Sequence, residues 1–276
     1  MNTPLPTALV ITAAGINCDR ELVEAFSRAG ASVESVHLRR LLDDPSIVDR
    51  FDLVGLPGGF SYGDAVAAGR IAASLLQHGV KDALVRAVDR GVPMIAPCNG
   101  FQIAVQLGLL PGGGAGGSQR SVTLAPNASG RFVDRWSRME YPSETRCIWT
   151  KDLDPAGAVN LLPSAHGEGR FLAADDAVIE RLESAGQVAI RYAADENFNG
   201  SAARIAGICD ETGLVFGLMP HPERYTRWTQ HPWWTRLDAA DLAGDPPGLQ
   251  MFRNAVAVAE QTRRERANVS AGAVVA

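Results

Sequence analysis

Short apolar runs that alternate with amphipathic stretches constrain this chain more than any other feature of its sequence. Residues 7–13 form a β-branched apolar run, and residues 17–29 follow with Leu22, Val23 and Phe26 on one helical face, stopped by Gly30. Residues 32–38 and 51–56 read as two further strands, the latter ending in Pro57-Gly58-Gly59. The spacing then predicts helices over 65–77 and 81–90, the second closed by Gly91, before the buried strand 93–96 runs into Pro97-Cys98-Asn99-Gly100. Strands alternating with helices imply an α/β fold, a mostly parallel sheet with helices on both faces, whose ligand sites form beyond the carboxyl ends of its strands. Gly58, Gly59 and Cys98 all fall at such ends.

The texture changes after Leu110. Residues 111–117 form a glycine-rich run with no Gly-Lys-Ser/Thr to make it a phosphate cradle, so a plain loop over 111–120 is expected. Short strand-like pieces continue to residue 162. Residues 203–209 and 214–219 pair as a hairpin around Asp210-Glu211-Thr212-Gly213, and the second arm delivers Pro220-His221-Pro222-Glu223. A last helix spans 248–266 with Met251, Phe252, Ala255 and Val258 inward, and 267–276 is expected to be a flexible tail. A length of 276 residues fits one α/β domain over 1–266 better than two unrelated domains.

The chemistry concentrates on Cys98. Between a buried strand and a helix pattern, its sulfur would sit at a helix N-terminus, where unpaired N–H groups and the positive end of the helix dipole favour an anion. Ala96 and Gly100 are small enough to permit the sharp turn. A thiol attacking an amide needs a base and a carboxylate to orient that base. His221 and Glu223 supply them, because residues i and i+2 of an extended segment point to one side and the flanking prolines stiffen it. The oxyanion of a tetrahedral intermediate needs backbone donors, and the N–H groups of Asn99 and Gly59 fit. A core cysteine and a surface turn are the bland readings of these two segments.

Composition excludes several other classes. A net charge of -5 gives no basic field for nucleic acid. No stretch reaches the ~20 apolar residues needed to span a bilayer, and residues 1–7 lack a signal-like apolar core, so a cytoplasmic protein is expected. Cys18, Cys98, Cys147 and Cys209 are widely spaced with no CxxC pair, which argues against disulfides and against a zinc site.

Five strings resemble, in order, the class I triad-type glutamine amidotransferases, and within them the glutaminase subunits of phosphoribosylformylglycinamidine synthases. They are Gly15-Ile16-Asn17-Cys18-Asp19, Pro57-Gly58-Gly59-Phe60-Ser61-Tyr62-Gly63-Asp64, Cys98-Asn99-Gly100-Phe101-Gln102, Ala165-His166-Gly167-Glu168-Gly169-Arg170-Phe171 and Met219-Pro220-His221-Pro222-Glu223-Arg224. The chain departs from the pattern at Ala96 and Pro97, and in Glu196-Asn197-Phe198-Asn199-Gly200-Ser201.

The resemblance implies a flavodoxin-like class I amidotransferase fold, with glutamine hydrolysed through a Cys98 glutamyl thioester. It makes Gly58, Gln102, Asn127 and Ser129 candidates for holding glutamine, and puts His166 and Glu168 near a partner-facing mouth; for Asn127 and Ser129 a loop-forming role stands equally open. It also implies a synthase (large) subunit and a small accessory subunit as partners, no cofactor or metal in this chain, and ATP and magnesium on the synthase. Trp228, Trp233 and Trp234 are candidates for an interface or for packing back on the body. A stand-alone cysteine hydrolase and a catalytically silent assembly subunit are the rival readings.

Overall fold

In the computed structural model, which describes residues 4–112, 121–155, 157 and 159–273, the first half of the chain winds back and forth across one sheet. β1 (Thr7–Thr12) leads to α1 (Asp19–Ala29), β2 (Ser32–His37), the short helix α2 (Leu38–Asp43), β3 (Leu53–Gly55), α3 (Arg70–Gly79), α4 (Lys81–Asp89), β4 (Met94–Pro97) and α5 (Asn99–Leu107). The second half adds β5 (Val122–Pro126), β6 (Val133–Glu140), β7 (Leu161–His166), β8 (Glu168–Ala173), α6 (Asp176–Ser184), β9 (Val188–Tyr192), β10 (Ile205–Cys209), β11 (Val215–Leu218) and α7 (Pro247–Ala273).

The main sheet runs β2-β1-β3-β4-β11-β10-β9-β6-β7, and β5 pairs with β8 in a separate ribbon. From β2 to β11 every pairing is parallel, and beyond β11 the neighbours are antiparallel. A sheet buried on both faces must be apolar on both. In β1, Leu9 and Ile11 accordingly enter one core with Leu76, Leu84 and Phe101 of α3, α4 and α5, while Ala8 and Val10 enter the other with Phe26 of α1 and Phe252 of α7. Phe26 meets Phe252 edge-to-face at 5.1 Å, a geometry that suits the ring quadrupoles.

Several boundaries differ from the sequence reading for identifiable reasons. The helix expected from residue 65 starts at Arg70, because the positive-φ turn formed by Tyr62, Gly63 and Asp64 carries the chain across the top of the sheet first. The link between β2 and β3, read without a helix, contains α2, capped by the His37 ring accepting from the Arg39 N–H. In α7 the buried stripe is Met251, Phe252, Ala255, Val256 and Ala259, with Val258 only partly buried, since a broad apolar face takes in neighbouring positions. That helix continues to Ala273, across most of the 267–276 segment read as a tail; residues 274–276 and the 113–120 part of the glycine-rich loop lie outside the described residues. Trp228 packs on Tyr225 and donates to the Gly244 carbonyl, whereas Trp233 and Trp234 are exposed. No helix among the described residues is long and apolar enough to cross a membrane.

The first turn of α5 presses directly on the end of β3. A Cβ on Gly100 would stand 2.0 Å from the Leu56 carbonyl oxygen, and backbone on both sides leaves no side chain to yield. Gly100→Ala is therefore expected to destabilise the protein by about 1–3 kcal/mol, the range of overpacked cores. A melting temperature unchanged from the wild type would show that the contact relaxes freely.

Candidate active site

Four neighbouring parallel strands, β1, β3, β4 and β11, end on one side of the sheet. Each hands over one part of the site. After β4 comes Cys98 at φ 52, ψ -110, directly ahead of α5. A non-glycine residue held in that region is strained, and such strain persists only where packing over-determines it. Here the Cys98 N–H is fixed at 2.7 Å on the Leu218 carbonyl of β11, while its own carbonyl accepts from Phe101 and Gln102. Pro97 is tolerated in this central strand because even-numbered β4 residues face β11, as Met94 and Cys98 do, and β3 has already ended on the other side.

Register explains how the second part arrives. Pro97 stands opposite Leu218, so Cys98 and the residues after β11 leave the sheet at the same level. Three residues past Leu218, the His221 N–H donates to the Pro163 carbonyl of β7, and its Nδ1 lies 2.6 Å from Glu223 Oε1. Both side chains are almost wholly buried. On its other side the ring has the Cys98 and Cys18 sulfurs for neighbours, and both favour its charged form. An ideal Cβ built on Gly58 would lie 2.9 Å from His221 Cε1, 3.3 Å from Cys98 Cβ and 3.4 Å from Cys18 Sγ. Only a residue without a side chain can stand there.

Burial opposes a charged imidazole, but the carboxylate of Glu223, the charge at Cys98 and the proximity of both sulfurs together hold the His221 pKa well above its ordinary value. His166, on the far wall, has no carboxylate beside it. Burial first, and then the charge on His221, push its pKa down to about 4, so it is neutral near pH 7. Its Nδ1 pairs with Asn127 Oδ1 at 3.0 Å, Nε2 approaches the Tyr192 hydroxyl at 3.4 Å, and the ring lies over Phe198.

These groups line a cavity of about 260 Å³. Of the residues singled out from sequence, Cys98, His221, Gly59, Gln102, His166 and Glu168 face it. Gly58 and Glu223 lie directly behind its floor. Asn99 is buried and holds the wall together: its Nδ2 donates to Asp64 and to Gln102 Oε1, its Oδ1 accepts from the Ser61 N–H, and Gln102 Nε2 donates at 2.5 Å to the Glu168 carbonyl. Gly59 lies opposite Ile16 in an antiparallel bridge whose flanking bonds, Phe60 N–H to Gly15 and Asn17 N–H to Gly58, turn the Gly59 N–H away from that segment.

Asn127 and Ser129 do not line the cavity. Asn127 grips the His166 carbonyl and ring from behind, and the exposed Ser129 hydroxyl accepts from Arg131, so the loop-forming alternative describes their contacts. Residues to which the sequence reading gave no role also line it, among them Cys18, Asp64, Phe132, Asp134 and Arg224. Cys18 was within reach of sequence logic, since Asn17-Cys18-Asp19 repeats the strand-to-helix junction that had already drawn attention to Cys98.

Over residues 5–258 the chain matches the family described as the CobB/CobQ-like glutamine amidotransferase domain. The phosphoribosylformylglycinamidine synthase subunit PurQ of Dehalococcoides mccartyi is 39% identical over 263 residues, 92% of this chain and 97% of that one. The subunit of the same name from Treponema denticola is 40% identical over 240 residues, 79% and 87% of the two chains. Among solved structures, a chain of PurLQS from Thermotoga maritima superposes with a TM-score of 0.68 at 32% identity, covering 91% of this chain and 98% of that one.

The geometry sets the sign of a pH effect. Because His221 keeps its proton in the folded state above the pH at which an unfolded histidine loses it, its contribution to stability is complete below pH ~6.5 and fades as pH rises through the higher folded value. A ring-nitrogen NMR titration is expected to place the His221 midpoint well above 6.5, and Glu223→Gln to lower it. A midpoint indifferent to Glu223→Gln would refute the account of the shift.

Proposed function

The chain belongs to the CobB/CobQ-like glutamine amidotransferase domain family and is a glutaminase subunit of the phosphoribosylformylglycinamidine synthase type, and we propose that Cys98, His221 and Glu223 carry its chemistry. The observation behind this reading is the His221 ring held between the Glu223 carboxylate at 2.6 Å and the Cys98 sulfur, at the ends of two paired strands.

In the proposed cycle the Cys98 sulfur attacks the carboxamide carbon of glutamine, and the carbonyl oxygen takes up the negative charge. The N–H groups of Gly59 and Asn99 receive that oxyanion. Imidazolium is the correct starting state for His221, since the departing nitrogen must gain a proton before the C–N bond breaks and ammonia leaves. The neutral ring then takes a proton from water, which attacks the Cys98 thioester and releases glutamate. Glu223 fixes the tautomer throughout and stabilises the ring's charge. Gln102, tied to Asn99 and the Glu168 backbone, forms the wall against which glutamine lies, and Glu168 and His166 belong to the mouth through which ammonia passes on.

The ammonia acceptor is the synthase subunit, in an assembly of the kind named PurLQS, with a small third subunit. Amination of formylglycinamide ribonucleotide takes place there, and ATP and magnesium are used on that partner. The nucleophile motif and the position of Cys98 at the carboxyl ends of parallel strands support the release of ammonia as this chain's share of the work.

In the assembled complex, Cys98→Ala is expected to abolish glutamine-dependent synthesis and to spare synthesis from added ammonia. A glutamine-like diazo-ketone should label Cys98 alone among the four cysteines. Loss of both activities in Cys98→Ala would overturn the assignment of Cys98.

A further inference from the structure

The hydrogen bonds around His166 run in one direction. Asn127 Nδ2 donates to the carbonyls of Arg131 at 2.9 Å and of His166 at 2.8 Å, which turns Asn127 Oδ1 to the ring, 3.0 Å from Nδ1. An amide oxygen only accepts, so Nδ1 carries the hydrogen and Nε2 is left with its lone pair. Beside Nε2 stands the Tyr192 hydroxyl at 3.4 Å, which receives Asn199 Nδ2 at 3.4 Å and so turns its own proton to the ring. We propose that this relay holds His166 as an acceptor-only wall of the cavity, so that ammonia released at Cys98 leaves unprotonated, and that Asn127 is thereby a positioning residue for ammonia transfer. The proposal rests on the cycle given above for Cys98 and His221, and adds to it the state in which the product departs.

Ammonia, like other amines, is a stronger base than imidazole. A charged ring in contact with it would pass its proton on, leaving a neutral imidazole and an ammonium ion, and ammonium has no lone pair with which to attack an acceptor. His221 carries a proton at the start of the proposed cycle and again once water has been deprotonated. The far wall is therefore the side on which ammonia is safe from that proton. His166 lines the cavity there, with Phe198 against its ring at 5.5 Å and Gly169 at a point where a Cβ would collide with the ring.

The groups that face the ring preserve this state. Among the described residues no carboxylate is hydrogen-bonded to it. Tyr192 of β9 stands at Nε2, and Cys98 and His221 lie across the cavity, where the charge on His221 opposes a second cation. Asp134 of β6 and Glu168 of β8 belong to the lining without a bond to the ring, and the Arg135 guanidinium stands 5.6 Å from the Phe198 ring that lies against it. Burial, and after it the charge on His221, keep the His166 pKa at about 4. The two histidines differ in their partners: an amide oxygen meets Nδ1 of His166, and a carboxylate meets Nδ1 of His221.

Asn127→Asp tests this, since it puts a carboxylate of the same shape where the amide stands. A ring-nitrogen NMR titration of the full chain is expected to show wild-type His166 neutral, with its hydrogen on Nδ1, from pH ~8 down to pH ~5, and Asn127→Asp is expected to raise the His166 midpoint by about 1–3 units. In the assembled complex the quantity to read is aminated product formed per glutamine consumed. The wild-type ratio should not change with pH, whereas in Asn127→Asp it should drop as pH falls through the raised midpoint and recover above it. A merely structural role for Asn127 would lower the ratio equally at every pH, and in Asn127→Ser as much as in Asn127→Asp. Should Asn127→Asp not fold, the wild-type titration still decides: a hydrogen on Nε2, or a ring charged at pH ~7, would overturn the proposal. A raised midpoint with an undiminished ratio below it would overturn the proposal alone, while glutamine hydrolysis that persists in Cys98→Ala would remove the cycle on which it rests.

Discussion

The parallel pairing of β4 with β11 is the contact on which the rest of the site depends. These strands are separated by more than a hundred residues of sequence, yet their register sets Pro97 opposite Leu218 and ties the Cys98 N–H to the Leu218 carbonyl at 2.7 Å. Parallel strands point their carboxyl ends the same way, so a strand-to-helix turn after one and a loop after the other open onto the same space. A slip of one residue would turn the side chains of β11 to the opposite face and move His221 off the sulfur. The buried faces of both strands prevent the slip, because Ile95 and Phe216 are committed to one core and Met94 and Val215 to the other.

Electrostatics then differentiates groups that are chemically alike. His166 and His221 share one cavity and are both nearly inaccessible to water. Burial alone favours the neutral ring, and His166, bonded to an amide oxygen and a phenol, follows that rule. His221 departs from it because Glu223 was buried with it, and that carboxylate, the charge at Cys98 and the two neighbouring sulfurs together outweigh the penalty of removing the ring from water, the largest single effect. In the proposed cycle one imidazole is thereby ready to give a proton to a departing nitrogen, while the other is a fixed, uncharged part of the wall. A charged pair can be held so far from water only because the surrounding helices and strands satisfy most of the other polar groups, as Asn99, Asn127 and Asn199 do for the backbone of the neighbouring loops.

Local chemistry was the most legible part of the sequence. The apolar runs and their terminating glycines and prolines gave the order of strands and helices through α5, and the spacing of Pro97-Cys98-Asn99-Gly100 announced the turn at Cys98. Less legible were contacts whose partners lie far apart in the chain. Asn127 looked like a ligand-holding residue, because a short polar side chain after the nucleophile helix has no local signature that separates gripping a substrate from gripping His166. For Cys18 the strand-to-helix junction was legible, but nothing near residue 18 in sequence reveals that Arg224 and His221 will close over it. The helix expected from residue 65 also started late, as the three positive-φ residues at 62–64 follow from the closure of this loop over the site rather than from propensity.

By itself, then, the sequence determined the class of fold and singled out the candidate reacting groups, because period, turn residues and nucleophile motif are local properties that survive without knowledge of partners. Tertiary structure decided which groups share a volume: that the ring of His221 touches two sulfurs rather than one, that His166 is neutral, and that Glu223 is sealed behind the ring. Such facts depend on strand register and on the exclusion of water, and both arise only when segments distant in the chain pack against one another.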